Sequence, residues 1–411
     1  MSSLASAGVS FNRMAHHPES ERNTQLVALG RDPKRDCGSV NPPVHRTSTV
    51  IFPDYGTFRD YNAGKLKGYR SYGRYGSPTT DGLEQALMAL EGADHAITTA
   101  SGLAAITTAL LAFLSSGDHV LFPDSLYGSA RDFVDHELVR LGVAVEYYEP
   151  TLGAAITERM RANTKVVYCE SPGSLTFEMQ DIPAIAAVAH AHGAVVIADN
   201  TWATPLLQQP FALGVDISIH SASKYIGGHS DIIMGVALCK AKHFAQLNRM
   251  HRNLGACASG DDAYLALRGL RTIAVRLKQH EAHALEVASW LQTVPEVKRV
   301  LFPALPSDPG HALWKRDMSG ACGLFAVELT HANDAALSAM LDGLAHFGIG
   351  FSWGGFESLV IAYQPAKMRT VTSWEKGATF LRLHIGLESP KDLIADLDAG
   401  FARLRKHLTP A

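Results

Sequence analysis

The sequence predicts an α/β protein in which a large, mostly parallel β-sheet is sandwiched by helices and followed by a smaller α+β domain. Three observations support this prediction. The chain has 411 residues, 46% of them hydrophobic, and that length exceeds the needs of one compact core. Short β-branched runs alternate with helical patterns through the middle third. Residues 1–70, in contrast, are rich in Pro, Gly, Arg and aromatic residues and show no sustained period.

The alternation in the middle third indicates how the strands run. Strand–helix–strand units with short connections place neighbouring strands parallel, with helices on both faces of the sheet. Such sheets bind ligands at the carboxyl ends of their strands. The predicted strands are residues 119–122, 143–148, 165–170, 194–199, 215–220 and 232–238, and the predicted helices between them are residues 103–114, 129–141 and 182–192.

The regions on either side of this block have different patterns. Residues 1–70 are expected to form an N-terminal arm, residues 71–270 the sheet domain, and residues 271–411 the C-terminal domain. The C-terminal domain is predicted from a long helical pattern at 271–291, strands near 324–329 and 381–385, and a charged helix at 390–408.

Composition and charge exclude several classes of protein. With 37 basic and 40 acidic residues the formal net charge is -3, which does not favour a nucleic-acid binder. The five cysteines form no Cys-x-x-Cys pair, so neither a zinc site nor a disulfide framework is expected. His280 and His283 share a helix face, but no third ligand has metal-like spacing, so we expect a solvated face and no metal.

Two segments bear on the cellular location. Residues 1–23 lack the apolar core of a signal peptide. Residues 96–116 contain no charged residue, but they hold too many Thr and Ser residues for a membrane span. A buried helix with a polar N-terminal end is expected there, in a cytoplasmic protein without membrane contact.

Residues 221–231 (SASKYIGGHSD) carry the strongest chemical signal. Lys224 follows a predicted strand and two hydroxyl residues, Ser221 and Ser223. An amine in such a turn can form a Schiff base with an aldehyde, and the hydroxyls can bind a phosphate. For an arbitrary lysine, a solvated turn is the more common explanation.

Asp199 ends the apolar strand that precedes the strand before Lys224. A carboxylate at the carboxyl end of a buried strand faces the ligand crevice, where it can pair with a pyridinium nitrogen. A helix N-cap is the common alternative role for aspartate. The combination of Asp199 and Lys224 on successive strands is more specific than either residue alone.

Three further features are weak signals by themselves. Gly102 and Leu103 open a helix, whose first N–H groups can form an anion site. Tyr72 and Arg74 are two residues apart, which puts a hydroxyl and a guanidinium on one face of an extended segment. Tyr127 follows a strand and can stack on an aromatic cofactor.

Together these motifs resemble the Cys/Met-metabolism family of pyridoxal-phosphate (PLP) enzymes, whose fold is the type I fold of PLP-dependent transferases. The resemblance covers residues 24–408. It rests on YGR at 72–74, ESPGSLT at 170–176, DNTW at 199–202, SWGGFESL at 352–359 and RLHIGLE at 382–388.

The resemblance implies a role for each matched residue. Lys224 would bind PLP covalently and move the Cα proton of the substrate, and Lys224 or the tyrosines Tyr72 and Tyr127 would protonate the leaving thiol. Arg382 would bind the substrate α-carboxylate, helped by the backbone of Ser352 and Trp353. The cofactor would be bound covalently by Lys224, with Asp199 at the ring nitrogen and Tyr127 stacked on the ring. Its phosphate would be bound by Gly102, Leu103, Ser221 and Ser223, and by Tyr72 and Arg74 from a neighbouring subunit.

Within the family, Ser174 and Trp353 favour the β-lyase branch, because γ-acting relatives usually have Asn and an aliphatic residue there. The implied activity is cleavage of L-cystathionine, and of related cysteine thioethers, to homocysteine, pyruvate and ammonia, a transsulfuration step of methionine biosynthesis. A γ-lyase, a γ-synthase or a methionine γ-lyase on the same scaffold is the alternative. The family also implies a homo-oligomer, at least a dimer and expected to be a tetramer, that acts on a small amino acid.

Two positions depart from the family pattern. Tyr75 stands where the family pattern has Arg, and Phe351 where it has Tyr. The resemblance implies that both positions face the distal end of the substrate. Functions of other classes are less compatible with the sequence. A non-catalytic relative would lack Lys224 or Asp199, and a dinucleotide-binding oxidoreductase would need a Gly-x-Gly-x-x-Gly turn, which follows none of the predicted strands.

Overall fold

The computed structural model describes residues 20–66 and 69–408 of the chain. Within these ranges the chain forms a seven-stranded and a five-stranded sheet, and helices pack on both. The helices are α1 (Arg22–Ala28), α2 (Tyr55–Asn62), α3 (Pro78–Glu91), α4 (Gly102–Phe113), α5 (Gly128–Phe133), α6 (Ile182–Ala191), α7 (Thr204–Leu207), α8 (Ala241–Leu254), α9 (Gly260–Leu270), α10 (Ile273–Leu291), α11 (His311–Asp317), α12 (Asp334–Leu341) and α13 (Pro390–His407). The strands are β1 (His95–Thr99), β2 (His119–Pro123), β3 (Ala144–Tyr148), β4 (Thr164–Glu170), β5 (Val195–Asp199), β6 (Ile217–Ser221), β7 (Gly235–Cys239), β8 (Val297–Leu301), β9 (Leu324–Leu329), β10 (Phe347–Ile349), β11 (Ser358–Tyr363) and β12 (Phe380–His384).

The larger sheet has the strand order β1-β7-β6-β5-β4-β2-β3. Strands β3, β2, β4, β5 and β6 pair in parallel, and β7 is antiparallel to both of its neighbours. Alternate residues of β4 face separate apolar clusters: Val166 and Tyr168 lie in one, Val167 and Cys169 in the other. Because both faces are covered, the central residues of β4 are apolar. The predicted mostly parallel sheet sandwiched by helices is confirmed.

The uncharged segment 96–116 contains a strand and a helix, so the prediction of one helix is wrong. Strand β1 ends at Thr99, and Ser101 caps α4 by accepting the N–H of Ala104 through Oγ at 3.0 Å. The β-branched pair Thr98–Thr99 favours the strand, and both elements lack charge because both are buried. Among the described residues, no helix is both long and apolar enough to cross a membrane.

The smaller sheet has the order β10-β11-β12-β9-β8, and β10 and β11 are its parallel pair. Strands β9 and β12 lie where they were predicted, and α10 and α13 match the predicted helices at 271–291 and 390–408. Strands β8, β10 and β11 were not predicted. The sequence of β8 (VKRVL) exposes Lys298 and Arg299 at the sheet edge, and β10 has only three residues. The domain boundaries at 70 and 270 stay a prediction.

A buried aspartate joins the end of β2 to the smaller sheet. The Asp124 carboxylate accepts hydrogen bonds from the backbone N–H groups of Thr370, Val371 and Thr372, which lie between β11 and β12. Arg131 on α5 donates to the same carboxylate at 3.1 Å. Burial alone would raise the pKa of Asp124, but the donors of Thr372 and Thr370 hold it well below its usual range. The ionised carboxylate therefore ties the two layers together.

Candidate active site

Lys224 lies three residues beyond β6, at the carboxyl edge of the larger sheet. Its Nζ donates a hydrogen bond to Ser352 Oγ at 2.5 Å and lies 5.4 Å from the centre of the Trp353 ring. Burial lowers the pKa of Lys224 to about 8, and the nearby charge of Arg382 contributes to this shift. A substantial fraction of this amine is therefore neutral near pH 7.5, as attack on an aldehyde requires.

Asp199 ends the neighbouring strand β5, opposite Ile219 of β6. Its Oδ1 accepts hydrogen bonds from the N–H and hydroxyl of Thr201 at 2.9 and 2.5 Å. Burial nevertheless raises the pKa of Asp199, because a carboxylate enclosed by protein is poorly solvated. A cationic group placed against it, such as a protonated ring nitrogen, would stabilise its charge.

The start of α4 forms a cradle of backbone N–H groups beside Ser221. The N–H groups of Gly102 and Leu103 belong to the first turn, where no preceding carbonyl of the helix can accept them. A Cβ atom on Gly102 would lie 2.7 Å from Ser221 Cβ, so only glycine allows this approach. Ser223 differs from the prediction, because its hydroxyl already accepts from Met234 N at 2.9 Å and lies 3.3 Å from Met234 O. The cradle fits a phosphate bound mainly by Gly102, Leu103 and Ser221.

Tyr127 lies between β2 and α5, with 43% of its surface exposed. Its backbone N–H donates to Glu170 Oε2 at 2.8 Å, and Glu170 is opposite Asp199 in the β4–β5 register. Tyr127 therefore presents an accessible ring beside Asp199, as stacking on a bound ring requires.

Arg382 lies on β12 with 9% of its surface exposed. Its Nη2 donates to the carbonyl of Ser352 at 2.9 Å, while its buried Nε has no hydrogen-bond partner among the described residues. Burial lowers the pKa of Arg382 to about 10, so the group remains protonated at neutral pH. A guanidinium buried without a paired carboxylate is suited to binding the carboxylate of a ligand.

Tyr72 and Arg74 occupy a different part of the surface. Tyr72 Oη accepts from Ser48 Oγ at 3.3 Å, and Arg74 donates to the Arg252 carbonyl at 2.9 Å. Residues Gly73–Tyr75 form a 3-10 turn, so the extended segment assumed for this pair is wrong. Both side chains line a cavity of about 450 Å³ between the arm and the start of α9.

Three buried groups were not recognised as important from the sequence. Glu170 is enclosed beside Asp199, and burial together with that neighbour raises the pKa of Glu170 well above its usual range. The ESP motif at 170–172 indicates the family but by itself gives Glu170 no role. His280 and His283 are buried against the carbonyls of Ile385 and Gly386, so the expected solvated face is wrong. Among the described residues no cluster of His, Cys, Asp or Glu could hold a metal ion.

These features fit PLP as a cofactor. The chain offers a partly neutral amine, a buried carboxylate for a cationic ring nitrogen, an accessible aromatic ring, and a cradle that a Cβ atom at Gly102 would fill. A single small molecule that combines an aldehyde, a pyridine ring and a phosphate would use all of them.

Comparisons with known proteins agree with this fit. Residues 23–402 match the family model described as Cys/Met metabolism PLP-dependent enzyme. The chain is 41% identical over 392 residues to the cystathionine β-lyase MetC of Escherichia coli (94% of this chain, 99% of the relative). It is 44% identical over 382 residues to a cystathionine β-lyase of Bordetella avium (91% and 96%). The crystal structure of a cystathionine γ-synthase from Xanthomonas oryzae, in complex with aminoacrylate and cysteine, has a TM-score of 0.86 at 33% identity (95% and 100%).

Proposed function

The chain belongs to the Cys/Met metabolism family of PLP-dependent enzymes, and we propose that it is a carbon–sulfur β-lyase that cleaves L-cystathionine to homocysteine, pyruvate and ammonia. One observation carries the proposal. Ser352 contacts the Lys224 amine through Oγ and the Arg382 guanidinium through its carbonyl. The base and the carboxylate-binding group therefore both contact the same residue and lie close together, as proton removal from an α-amino acid requires.

The residues that would hold PLP are those of the site. Lys224 would bind it covalently, Asp199 would pair with the ring nitrogen and Tyr127 would stack on the ring. The phosphate would lie at the N–H groups of Gly102 and Leu103 with the hydroxyls of Ser221 and Ser223, although Ser223 would have to turn from Met234. When bound, PLP withdraws electrons from the Cα atom of the attached amino acid.

The chain's own groups orient the substrate and move its proton. The Arg382 guanidinium binds the α-carboxylate through two N–H groups, which fixes both position and orientation. Lys224 Nζ, partly neutral because its pKa is about 8, accepts the Cα proton. The Trp353 ring lies beside the amine, with its centre 5.4 Å from Nζ. The β-sulfur then leaves with a proton, which the protonated Lys224 amine can supply, as the thiol of homocysteine. One water hydrolyses the remaining three-carbon fragment to pyruvate and ammonia.

The products of cystathionine cleavage test this function. Purified protein incubated with PLP and L-cystathionine should release pyruvate and a free thiol in equal amounts. Cleavage on the γ side of the sulfur would instead give 2-oxobutyrate and cysteine. Chromatographic identification of the keto acid decides between them. A predominance of 2-oxobutyrate would reject β-cleavage and favour the γ-lyase alternative, which the similarity to a γ-synthase structure keeps plausible.

We further propose a cytoplasmic homotetramer whose site is shared between subunits. The five cysteines are free, which suits a reducing compartment. Tyr72 and Arg74 line the arm cavity, and their hydrogen bonds lead to Ser48 and Arg252. Large apolar side chains on the arm are exposed, with Ile51 at 85% and Tyr55 at 76%. Such side chains suit burial against a neighbouring subunit, whose site Tyr72 and Arg74 would complete.

Subunit mixing tests the shared site. Arg74→Ala and Lys224→Ala should each be inactive or severely impaired as pure oligomers. Mixed oligomers should regain activity, because one site in them combines an intact Lys224 with an intact Arg74. Pyruvate release is measured after dissociation and reassociation, with exchange verified by mass spectrometry of tagged subunits. Verified hybrids that stay inactive would contradict the shared site.

A further inference from the structure

The loop from Ser352 to Gly355 lies against Lys224 without belonging to a helix or a strand. Ser352 and Gly354 both have positive φ angles, 79° and 88°. A Cβ atom on Gly354 would lie 2.8 Å from Tyr225 N and 2.9 Å from the carbonyl carbon of Lys224. Only glycine allows the loop to come this close to the Lys224–Tyr225 peptide.

The position of this loop matters for both reactive side chains. Ser352 accepts the hydrogen bond from Lys224 Nζ through Oγ, and the bond from Arg382 Nη2 through its carbonyl. A displacement of the loop would therefore change the environment of the amine and of the guanidinium together. Since no regular ladder holds the loop, its hydrogen bonds to neighbouring elements decide where it lies.

His384 supplies such hydrogen bonds. Its Nε2 lies 3.1 Å from Gly354 N and 3.1 Å from Gly355 O, and its Nδ1 lies 3.4 Å from Tyr225 Oη. A neutral imidazole accepts at one nitrogen and donates at the other. With Nε2 accepting the N–H of Gly354, Nδ1 carries the proton and can donate to Tyr225 Oη. The ring therefore links the loop to the residue that follows Lys224.

The surroundings of the ring keep it neutral and fixed. His384 is fully buried, with its ring centre 5.8 Å from that of Tyr225 and 5.3 Å from that of His280. His280 is itself held by its Nδ1 contact with Ile385 O at 2.8 Å. Burial, with His280 second and Arg382 and Lys224 adding to it, lowers the pKa of His384 to about 3. The ring thus keeps its acceptor nitrogen throughout the physiological range.

The position of His384 on β12, close to Arg382, gives the Ser352–Gly355 loop a second attachment to this strand. His384 follows Arg382 by two residues, so both side chains leave the strand on the same face. Arg382 holds the Ser352 carbonyl and His384 holds the Gly354 N–H. The strand therefore fixes the loop at both sides of Trp353.

We propose that His384 is a positioning residue: by binding Gly354 it holds the Ser352–Gly355 loop, and with it the geometry between the Lys224 amine and the Arg382 guanidinium. The inference rests on the roles that the proposed function gives to Lys224 and Arg382. A purely structural histidine would affect the stability of the fold alone. A positioning residue also affects substrate binding and the protonation of Lys224.

Three substitutions of His384 separate these roles in the holoenzyme. Leucine removes both hydrogen bonds, asparagine is too short to reach Gly354, and glutamine can place an amide oxygen near the position of Nε2 and accept the Gly354 N–H. His384→Leu and His384→Asn should lower kcat/KM for cystathionine by about 10- to 100-fold, mainly through KM, because a displacement of about 1 Å has effects of this size. The pH midpoint of the cofactor absorbance should shift in both. His384→Gln should recover most of the loss.

A second buried histidine provides the control. His283 on α10 lies 3.3 Å from Gly386 O, and its described hydrogen bonds do not involve the loop. His283→Leu should lower the unfolding temperature but leave KM and the absorbance midpoint unchanged.

The proposal is overturned if His384→Leu behaves in the same way, or if glutamine performs no better than asparagine. Should the leucine variant not fold, the glutamine–asparagine comparison still decides. Absence of pyruvate from the parent would reject the proposed function, while the midpoint shift would still test His384.

Discussion

Replacing Lys224 by alanine should eliminate both covalent attachment of PLP and turnover. The amine has no substitute, because the neighbouring hydroxyl of Ser352 cannot form a carbon–nitrogen double bond with an aldehyde. Loss of the base removes a further factor of about 10²–10⁴ in rate, so kcat should fall by at least about 10⁴-fold. Pyruvate release gives the rate. Borohydride reduction followed by mass spectrometry gives the covalently bound fraction of the cofactor.

A lysine outside the site serves as the control for this variant. Lys240 follows β7, donates to the Gly92 carbonyl at 2.6 Å and lies over the Phe211 ring. Lys240→Ala should retain the covalent cofactor and the parental rate. If Lys224→Ala released pyruvate at the parental rate, or still carried PLP after reduction, Lys224 would not be the reactive amine.

Replacing Arg382 by leucine should impair substrate binding while PLP remains attached to Lys224. The guanidinium is buried and its Nε lacks a partner within the described part of the chain, so the substrate carboxylate would be its counter-charge. Removing one partner of such a pair lowers transition-state stabilisation by roughly 2–5 kcal/mol. The change is measured as kcat/KM. Arg382→Lys should rescue poorly, because an ammonium cannot make the two parallel hydrogen bonds of a guanidinium.

The same variant should also change the titration of Lys224. The charge of Arg382 helps to lower the pKa of the free Lys224 amine to about 8, so its removal should move that pKa upward when the cofactor-free variant is titrated. A matched control is Arg271→Leu, since this guanidinium also donates to a backbone carbonyl, that of Leu26 at 2.6 Å, and its described hydrogen bond does not involve a residue of the site. Normal kcat/KM in Arg382→Leu, or loss of the cofactor, would show that Arg382 has another role.

The part of the site that follows from local sequence was predictable. Lys224 and Asp199 directly follow or end apolar strands, and adjacent parallel strands bring their carboxyl ends together whatever the rest of the chain does. Gly102 was recognisable for a related reason, because a helix start with small residues leaves backbone N–H groups free. The roles of these residues stay a prediction, although their positions in the fold are those that such roles require.

Other features depend on tertiary packing and left no local signal. The contact of Arg382 with Ser352 joins β12 to a loop without regular structure, so no periodicity indicates it. His280 was expected in solvent, because its position on a predicted helix does not indicate that the carbonyl of Ile385, just beyond β12, contacts the ring. The Tyr72–Arg74 segment was expected to be extended, yet Gly73 begins a 3-10 turn, and its N–H donates to the carbonyl of Ser48, 25 residues earlier, at 2.7 Å. In each instance the partner is distant in sequence.

The hydrogen bonds of Asp124 impose an order of events during synthesis of the chain. Its acceptors are filled by residues 246 to 248 positions further along. At the usual 5–20 residues per second, a ribosome needs about 12–50 s to supply them. Throughout that interval the Asp124 carboxylate, just beyond the end of β2, has Arg131 as a donor but lacks the backbone N–H groups of residues 370–372. The nascent sheet can form early, but we expect its ligand-binding edge to mature only when residues 370–372 have emerged.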